Sequence, residues 1–296
     1  MARHLLILIF NQFPDWAPAI DFDSQVECDI TTDRGLADQA AAVVYHIPTL
    51  DKAFRIPKRP GQLSVAWSME NDTNYPQLSD PDYIGQFDIT MTYRRDASVW
   101  CPYFGPELMP DLLKPPKPKV AAAPIVLFAS NPFDHTRRAQ FVLELMARIN
   151  VDSYGRVLRN RTLAEDNGRQ TKLDVISQYR FTLALENSIC QDYVTEKLYD
   201  PLLVGSVPIY LGAPNVDEFA PGDRCFINAA DYQNAEHLAD HIDHLVKDDA
   251  SYQRYFDWKK TGLRPGFKAD LKSVSVEAFC RLCDILQERS AVDPLR

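Results

Sequence analysis

The sequence predicts an α/β protein with parallel sheets, organised as two halves. Short runs rich in Val, Ile, Leu and Phe alternate with segments of helical pattern along the 296 residues. Strands that alternate with helices are typical of parallel sheets joined by crossover helices. A hydrophobic content of 46% over this length suffices for two cores of about 100 to 200 residues each.

The N-terminal half contains four predicted strands, at residues 5–10, 41–46, 63–67 and 87–93. A proline-rich stretch, residues 114–119, follows them. Proline cannot continue a helix or a central strand and favours extended polyproline geometry, so we predict a domain boundary there. The sequence therefore divides into an N-terminal domain at 1–115, a C-terminal domain at 120–270 and a C-terminal helix at 271–296 that packs back on the first domain.

The C-terminal half begins with a strand at 125–129, a helix at 137–149 and a short strand at 151–155. Residues 156–172 are polar and are predicted as a loop, and residues 173–179 lead into the next strand. After Gly212 the sequence predicts a last strand and three helices, at residues 225–228, 234–247, 251–260 and 273–289.

Residues 180–212 are the most informative segment. An apolar run ends at Glu186, a polar loop follows, a helical pattern opens near Tyr193, and residues 207–211 restore a buried-strand composition before Gly212. This pattern predicts a βαβ unit, in which ligands bind at the carboxyl ends of the strands. The helix opens with Thr195, Glu196 and Lys197, at an end whose free N–H groups and dipole favour an anion such as a diphosphate.

The same segment resembles the donor-binding signature of the α-1,3/4-fucosyltransferases, glycosyltransferase family 10. That signature runs Phe-Glu-Asn-Ser, three residues, then Asp-Tyr-Ile-Thr-Glu-Lys, and this chain keeps its spacing with Leu185 in place of the Phe. The resemblance covers about residues 63–262. It implies a GT-B architecture, in which two Rossmann-like domains face a central cleft, and a GDP-fucose donor.

Two cations are candidates for the leaving diphosphate, which gains negative charge as the glycosyl bond breaks. Lys197 opens the helix at the strand end. Arg138 opens another helix and matches the family arginine that stands three residues before an aromatic, here Phe141. Arg137 sits at an offset that some relatives use, so the choice between the two arginines stays open. An arginine suits a phosphate because its fork can bind two oxygens at once.

The resemblance also assigns residues to the nucleoside. Glu196 matches the family glutamate that hydrogen-bonds the ribose hydroxyls, while Tyr193 and Asn187 match positions that line the nucleotide pocket. Guanine specificity comes from the resemblance alone.

The general base is expected from the N-terminal half. Glu70 follows a predicted buried strand and looks like the family's proposed catalytic glutamate, because the run at 87–96 that follows it matches the family's Tyr-Arg run in register. Asp72 is the alternative base. A single inverting displacement needs one such carboxylate opposite the leaving group.

The family resemblance implies an inverting fucosyltransferase that moves L-fucose from GDP-β-L-fucose to a hydroxyl of an oligosaccharide acceptor, in particular O3 of GlcNAc or Glc in a lactosamine- or lactose-type glycan. The alternative is a catalytically silent glycan- or nucleotide-binding module on the same scaffold. A dehydrogenase or P-loop enzyme is disfavoured because the sequence has no Gly-x-Gly-x-x-Gly or Gly-Lys-Ser/Thr loop.

We expect no obligatory metal or other cofactor, since no Asp-x-Asp triad stands near the donor strands and the proline inside 80–82 favours a turn. The net charge of −9 argues against nucleic-acid and anionic-membrane partners. The six cysteines show no metal or disulfide spacing, and Cys280 and Cys283 are predicted as core thiols.

Localisation is judged from the apolar segments of the sequence. No stretch approaches the roughly 20 apolar residues of a membrane span. The sequence favours a cytoplasmic, bacterial enzyme, peripheral to the inner membrane, or alternatively a soluble catalytic fragment of a Golgi-type enzyme.

Overall fold

The computed structural model describes residues 4–12, 28–51, 55–131 and 134–292. The chain folds into two compact units. Unit 1 comprises the residues up to Pro102 together with those from Ser273 onward, and unit 2 comprises residues 103–272. Each unit has a parallel sheet of its own, as the alternation of strands and helices predicts.

The sheet of unit 1 has the order β2-β1-β3-β4-β5-β6, with every neighbouring pair parallel. Its strands are β1 (Leu5–Asn11), β2 (Cys28–Thr31), β3 (Ala42–His46), β4 (Leu63–Ser68), β5 (Ile89–Thr92) and β6 (Val99–Trp100). The four predicted strands are confirmed. The sequence did not predict β2 and β6, because four and two residues are too short for a periodic signal.

The described residues of unit 1 form the α-helices α1 (Pro81–Ile84) and α11 (Ala278–Val292). Phe279 and Leu282 of α11 pack into the same core as Ile7 and Val65 of the sheet. The predicted helix at 273–289 is wrong at its start, since residues 274–277 interrupt it. The carboxylate of Glu277 accepts the Phe279 N–H at 2.7 Å and so caps the beginning of α11.

A disulfide joins Cys28 of β2 to Cys283 of α11, with their Cα atoms 6.4 Å apart. The prediction that Cys283 is a thiol is therefore wrong. The partners lie 255 residues apart, so only the folded sheet brings them together and their spacing carries no signal. Buried Cys101 and Cys225 remain thiols, and burial raises the pKa of each to about 12.

The sheet of unit 2 has the order β11-β10-β9-β7-β8, again entirely parallel. Its strands are β7 (Ile125–Leu127), β8 (Val151–Ser153), β9 (Phe181–Leu185), β10 (Val207–Leu211) and β11 (Ile227–Asn228). Every residue of β9 is buried, and Phe181, Leu183 and Leu185 pack into the core on one face of the sheet. The βαβ unit predicted for residues 180–212 is confirmed as β9, α5 (Glu196–Val204) and β10.

The other helices of unit 2 are α2 (Met109–Leu112), α3 (Arg138–Met146), α4 (Arg169–Ile176), α6 (Val216–Phe219), α7 (Ala235–Lys247), α8 (Asp249–Gln253), α9 (Asp257–Thr261) and α10 (Pro265–Ser273). The prediction missed α4, whose polar exposed face gives a weak helical pattern. The single helix predicted at 251–260 is interrupted by a 3-10 turn between α8 and α9. No helix among these described residues is long and apolar enough to span a membrane.

The proline-rich stretch lies inside unit 2, and the division between the units falls at Pro102 and Tyr103. Lys119 donates a hydrogen bond to the Ser177 carbonyl at 2.8 Å. Pro116 packs so closely against Gly205 that a Cβ at Gly205 would lie 2.5 Å from it. Gly205 also has φ of +71°, where glycine is favoured, and it ends α5. The stretch is therefore a packed part of the second unit.

Candidate active site

The candidate site lies at the carboxyl ends of β7 and β9. When β7 to β11 are numbered 1 to 5 along the chain, their order across the sheet is 5-4-3-1-2. The strand order therefore reverses between β7 and β9. Ligands of open α/β sheets bind at this kind of reversal, outside the carboxyl ends of the strands. The loop and helix after β7 carry Arg138, and those after β9 carry Lys197. The topology therefore places both predicted cations at one end of one sheet.

The carboxylate of Glu186 organises the start of α5. Glu186 directly follows β9 and is fully buried. It accepts hydrogen bonds from the backbone N–H of Thr195 at 2.9 Å and from the Thr195 hydroxyl at 2.8 Å. Thr195 is in turn the N-cap of α5 and accepts the N–H of Lys197 at 3.4 Å. One buried carboxylate thus fixes the residue at which the helix begins.

The ammonium of Lys197 has three oxygen neighbours. It lies 3.1 Å from Glu186 Oε2, 3.0 Å from Thr195 Oγ1 and 3.4 Å from Glu196 Oε1. Because an ammonium has three N–H donors, these contacts use its full capacity. Glu196 is the most distant of the three and its side chain is 42% exposed, whereas that of Glu186 is fully buried. Glu196 is therefore the partner that can most readily be exchanged.

The charges around Lys197 keep it protonated. Burial acts to lower the pKa of Lys197, but the negative charges of Glu186 and Glu196 outweigh burial and raise the pKa above its ordinary value. Burial raises the pKa of Glu186, and the charge of Lys197 opposes that rise. The result is a cation held at a defined position by a buried counter-ion.

Arg138 is buried at the same strand end. Its guanidinium donates to the carbonyl of Leu185, the last residue of β9, at 3.3 Å and to the carbonyl of Asn131 at 2.6 Å. Burial lowers the pKa of Arg138, while the charges of Asp134 and Glu186 oppose this shift. Arg137 is exposed and adopts a left-handed conformation with φ of 55° as the N-cap of α3. The two arginines therefore differ in burial and in contacts.

The start of α3 already holds an anion. The carboxylate of Asp134 accepts the backbone N–H groups of Arg138 at 2.7 Å and of Ala139 at 3.0 Å. The sequence predicts an anion-favouring terminus here, and the structure fills it with the protein's own side chain. A ligand at this place would meet the Arg138 side chain rather than these backbone groups.

The residues predicted for the nucleoside lie on the loop between β9 and α5. Asn187 and Tyr193 are buried, and Glu196 is the first residue of α5. The ring of Tyr193 packs edge-on against Tyr103, with centroids 6.1 Å apart. The structure thus brings Asn187, Tyr193 and Glu196 together with Lys197 and Arg138 around the end of β9.

Two supporting features were not predicted as parts of the site. Tyr210 of β10 donates from its hydroxyl to the Tyr193 carbonyl at 3.3 Å and accepts the Ala213 N–H at 3.0 Å. A Cβ on Gly212 would lie 2.5 Å from Glu186 Cγ and 2.5 Å from the Tyr210 hydroxyl oxygen. Only a glycine lets the loop after β10 approach Glu186 this closely. A glycine directly after a buried strand and a carboxylate at the end of an apolar run are the sequence signals for these features.

Glu70 and Asp72 belong to unit 1 and follow β4. Ser68, which is fully buried, donates to the Glu70 carbonyl at 3.0 Å and accepts the Glu70 N–H at 3.1 Å. Asp72 accepts the Ser79 hydroxyl at 2.6 Å and lies 3.5 Å from the Arg94 guanidinium. Burial and the negative charge of Glu70 raise the pKa of Tyr75, which places Glu70 near that phenol. Asp72 is thus held in a network of its own.

Metal-ligand geometry is absent from the described parts of the chain, where no three His, Cys, Asp or Glu residues are grouped to hold an ion. Asp80, in the stretch with the letters of an Asp-x-Asp triad, is the N-cap of α1 and accepts the N–H groups of Asp82 and Tyr83. This local role agrees with the predicted turn. The expectation that no metal is required stays a prediction.

Sequence comparisons identify the family. The family model described as "Glycosyltransferase family 10 (fucosyltransferase) C-term" matches residues 117–294, and the model described as "Fucosyltransferase, N-terminal" matches residues 2–104. A fucosyltransferase-like protein of Arabidopsis thaliana is 36% identical over 244 residues, which cover 81% of this chain and 46% of that protein. The chain thus spans about half the length of that relative.

Two further similarities agree with this result. The 4-galactosyl-N-acetylglucosaminide 3-alpha-L-fucosyltransferase FUT6 of Homo sapiens is 36% identical over 277 residues, covering 89% of this chain and 72% of that protein. The crystal structure of an alpha1,3-fucosyltransferase with GDP-fucose is similar at a TM-score of 0.53 and 17% identity, covering 97% of this chain and 91% of that one. This likeness confirms the predicted GT-B-type α/β fold with two sheet domains. The chain belongs to glycosyltransferase family 10, the fucosyltransferases, and the predicted enzyme class is confirmed.

Proposed function

We propose that the chain transfers L-fucose from GDP-β-L-fucose to a glycan hydroxyl with inversion at the anomeric carbon. The observation that carries the proposal is the ion pair between buried Glu186 and partly buried Lys197 at the end of the central strand β9. A cation that is already fixed where negative charge develops stabilises the transition state more than a mobile cation does, because its surroundings need not reorganise during the reaction. Arg138, which reaches the Leu185 carbonyl at the same strand end, would supply the second positive charge.

The contacts of Lys197 suggest how a diphosphate could enter. In the structure its third N–H donor points to Glu196, at the longest of the three distances. If the Glu196 carboxylate turns to the ribose hydroxyls, as the family resemblance implies, that donor becomes available to a phosphate oxygen. Glu186 and Thr195 would keep the ammonium in place during this exchange. Asn187 and Tyr193 would line the nucleotide pocket beside it.

Glu70 is proposed as the general base. Its carboxylate would take the proton of the acceptor hydroxyl while the hydroxyl oxygen forms a bond to the anomeric carbon of fucose. The bond from that carbon to the phosphate oxygen breaks, and its electron pair leaves with GDP. Asp72, whose carboxylate contacts Ser79 and Arg94, is the alternative base, and the family resemblance favours Glu70.

The acceptor is proposed to be a lactosamine- or lactose-type glycan, with O3 of GlcNAc or Glc as the attacking hydroxyl. The support is family membership and the name of the human relative, which describes a 3-alpha-L-fucosyltransferase of 4-galactosyl-N-acetylglucosaminide. We propose that Lys197 and Arg138 handle the diphosphate without an obligatory metal ion.

A transfer assay tests this function. GDP-fucose labelled in the sugar is incubated with lactose, N-acetyllactosamine and related acceptors, and labelled product is isolated. We expect fucosylation of at least one acceptor and inhibition of this transfer by added GDP. We also expect GDP to bind more tightly than UDP. UDP that binds as tightly as GDP would contradict the donor assignment.

The paired variants Glu70→Gln and Asp72→Asn test the base. Glutamine keeps the size of glutamate but cannot accept the proton, so we expect turnover to fall by a factor of about 100 or more with GDP affinity unchanged. Turnover that collapses in Asp72→Asn and survives in Glu70→Gln would move the base to Asp72. GDP binding without transfer to any acceptor by the parent chain would favour the silent module.

A further inference from the structure

A cavity lined by cations lies at the opposite, amino end of β9, within unit 2. We call it the amino-end cavity. Its volume is about 300 Å³, which is at the lower end of the range for small-molecule sites. Arg180, which directly precedes β9, is one of its walls, and the proline-rich stretch is another. Its lining consists of Pro116, Lys117, Pro118, Lys119, Arg180, Asp249, Tyr252 and Gln253.

The structure holds two of these cations in place. The Arg180 guanidinium lies 2.9 Å from the Asp249 carboxylate and 4.6 Å above the centre of the Tyr252 ring. The Tyr252 hydroxyl donates to the Arg180 carbonyl at 3.0 Å. The Lys119 ammonium donates to the Ser177 carbonyl at 2.8 Å. Lys117 is exposed, so its ammonium can reach a ligand at the cavity mouth.

The charges of the cavity do not balance. Three of its lining side chains are basic and one is a carboxylate, so basic groups exceed acidic ones in a chain whose net charge is −9. The carboxylate of Asp249 is 62% exposed, so water screens its effect. Burial and the charges of Lys259, Lys117 and Arg180 lower the pKa of Lys119 to about 7. An anion in the cavity would relieve this mutual repulsion.

We propose that the amino-end cavity binds the phosphoryl group of a small anion, at a site separate from the donor site. A tetrahedral oxyanion offers several acceptor oxygens. This suits the Arg180 guanidinium on one wall and the Lys117 and Lys119 ammonium groups on the other. The residues involved have no part in the proposed transfer. This proposal can therefore be tested independently of the proposed function.

The test is a calorimetric titration of the full chain with inorganic phosphate at constant ionic strength, which keeps screening equal between samples. We expect Lys117→Gln to weaken phosphate binding about tenfold, as expected for loss of one charged hydrogen bond. Asp249→Asn should strengthen binding, because it removes the only carboxylate that lines the cavity. The matched control is Lys114→Gln, since Lys114 is an exposed lysine of the same stretch, is paired with Asp111 and does not line the cavity.

Lys197→Ala separates this cavity from the donor site. Phosphate that binds in the amino-end cavity should bind Lys197→Ala as it binds the parent. Absence of binding to the parent, equal affinities in Lys117→Gln and Lys114→Gln, or loss of binding in Lys197→Ala alone would overturn the proposal. A parallel titration with phenyl phosphate distinguishes the sources, because tighter binding than inorganic phosphate would assign the site to a phosphate ester and weaker binding to the free ion.

Discussion

Lys197 and Lys119 are partly buried lysines near opposite ends of the same strand, and their charges are handled in opposite ways. Lys197 lies 3.1 Å from a fully buried carboxylate, which outweighs burial and raises its pKa. Lys119 donates to a carbonyl and has cationic neighbours, and its pKa falls to about 7. The difference arises from the neighbours, since both side chains lose water.

The comparison separates two kinds of anion site. At the carboxyl end of β9 the cation is neutralised in advance, so its position is fixed and a ligand must exchange with Glu196. At the amino end the cations repel one another, so the negative charge of a bound anion would reduce their repulsion. A fixed, protonated cation suits a transition state, whereas unbalanced cations suit simple binding.

The largest expected effect on stability comes from Glu186→Gln, which makes the environment of Lys197 resemble that of Lys119. Removing the buried partner leaves the partly buried Lys197 with the exposed Glu196 as its counter-ion, so its charge is less well compensated. We expect the free energy of unfolding to fall by about 3 kcal/mol, measured by urea denaturation at pH 7. Glu236→Gln, which breaks an exposed pair with Arg148, is the control and should cost less than about 1 kcal/mol. Equal losses would mean that burial of Glu186 adds nothing.

Arg138→Ala tests the second cation of the carboxyl end. We expect kcat/KM for fucose transfer to fall by a factor that corresponds to about 3 kcal/mol, as for loss of one preorganised donor. Arg137→Ala should be milder, because Arg137 is exposed. Circular dichroism should accompany the assay, since Arg138 also binds the carbonyls of Leu185 and Asn131. Small, equal losses in both variants would reject Arg138 as a diphosphate ligand.

Gly212→Ala tests the close packing that keeps Glu186 in place. A Cβ there would lie 2.5 Å from Glu186 Cγ, so the loop or the carboxylate must move. We expect a loss of about 2 kcal/mol in the free energy of unfolding. Gly266→Ala is the control, because nothing lies within 4 Å of its Cβ position in α10 and alanine favours a helix. An unchanged stability in Gly212→Ala would show that Glu186 is held loosely.

The last prediction is a pH dependence at the amino end of β9, which is smaller per pH unit than the losses expected above. The pKa of Lys119 is about 7 in the folded chain and ordinary in the unfolded chain, so the unfolded chain binds more protons between pH 7 and about 10. Stability should therefore rise with pH in this window, with a contribution that approaches about 1.4 kcal/mol per pH unit. Lys119→Met should reduce this slope in urea titrations, while Lys114→Met should leave it unchanged. An unaltered slope in Lys119→Met would contradict the lowered pKa.

The sequence could predict the central parts of the fold. Strand β1 is apolar up to its last residue, and β9 is apolar except for Thr182, so their composition alone predicts burial. The edge strand β2 and the two-residue β6 lack such a run, and the Cys28–Cys283 disulfide depends on contacts between distant residues. Local patterns therefore predict the centre of each sheet better than its edges.

The parts of the candidate site whose residues are neighbours in the sequence could be predicted. Thr195, Glu196 and Lys197 stand side by side at a helix start, so the sequence alone predicts an anion-favouring terminus there. The counter-ion Glu186 lies nine residues away from Thr195 and is brought back by the loop. The occupation of the α3 terminus by Asp134 also depends on folded geometry. Sequence patterns name the cations, and only the structure shows what neutralises them.

The most direct test of the central claim is GDP binding and fucose transfer measured in parallel on the parent, Lys197→Ala and Lys119→Ala. We predict that Lys197→Ala loses about 3 kcal/mol or more in transition-state stabilisation and binds GDP more weakly, because the diphosphate loses its fixed cation. Lys119→Ala should retain both activities, since it lies at the other end of the strand. Transfer that survives in Lys197→Ala, or that is lost equally in both variants, would contradict a donor site at the carboxyl end of β9.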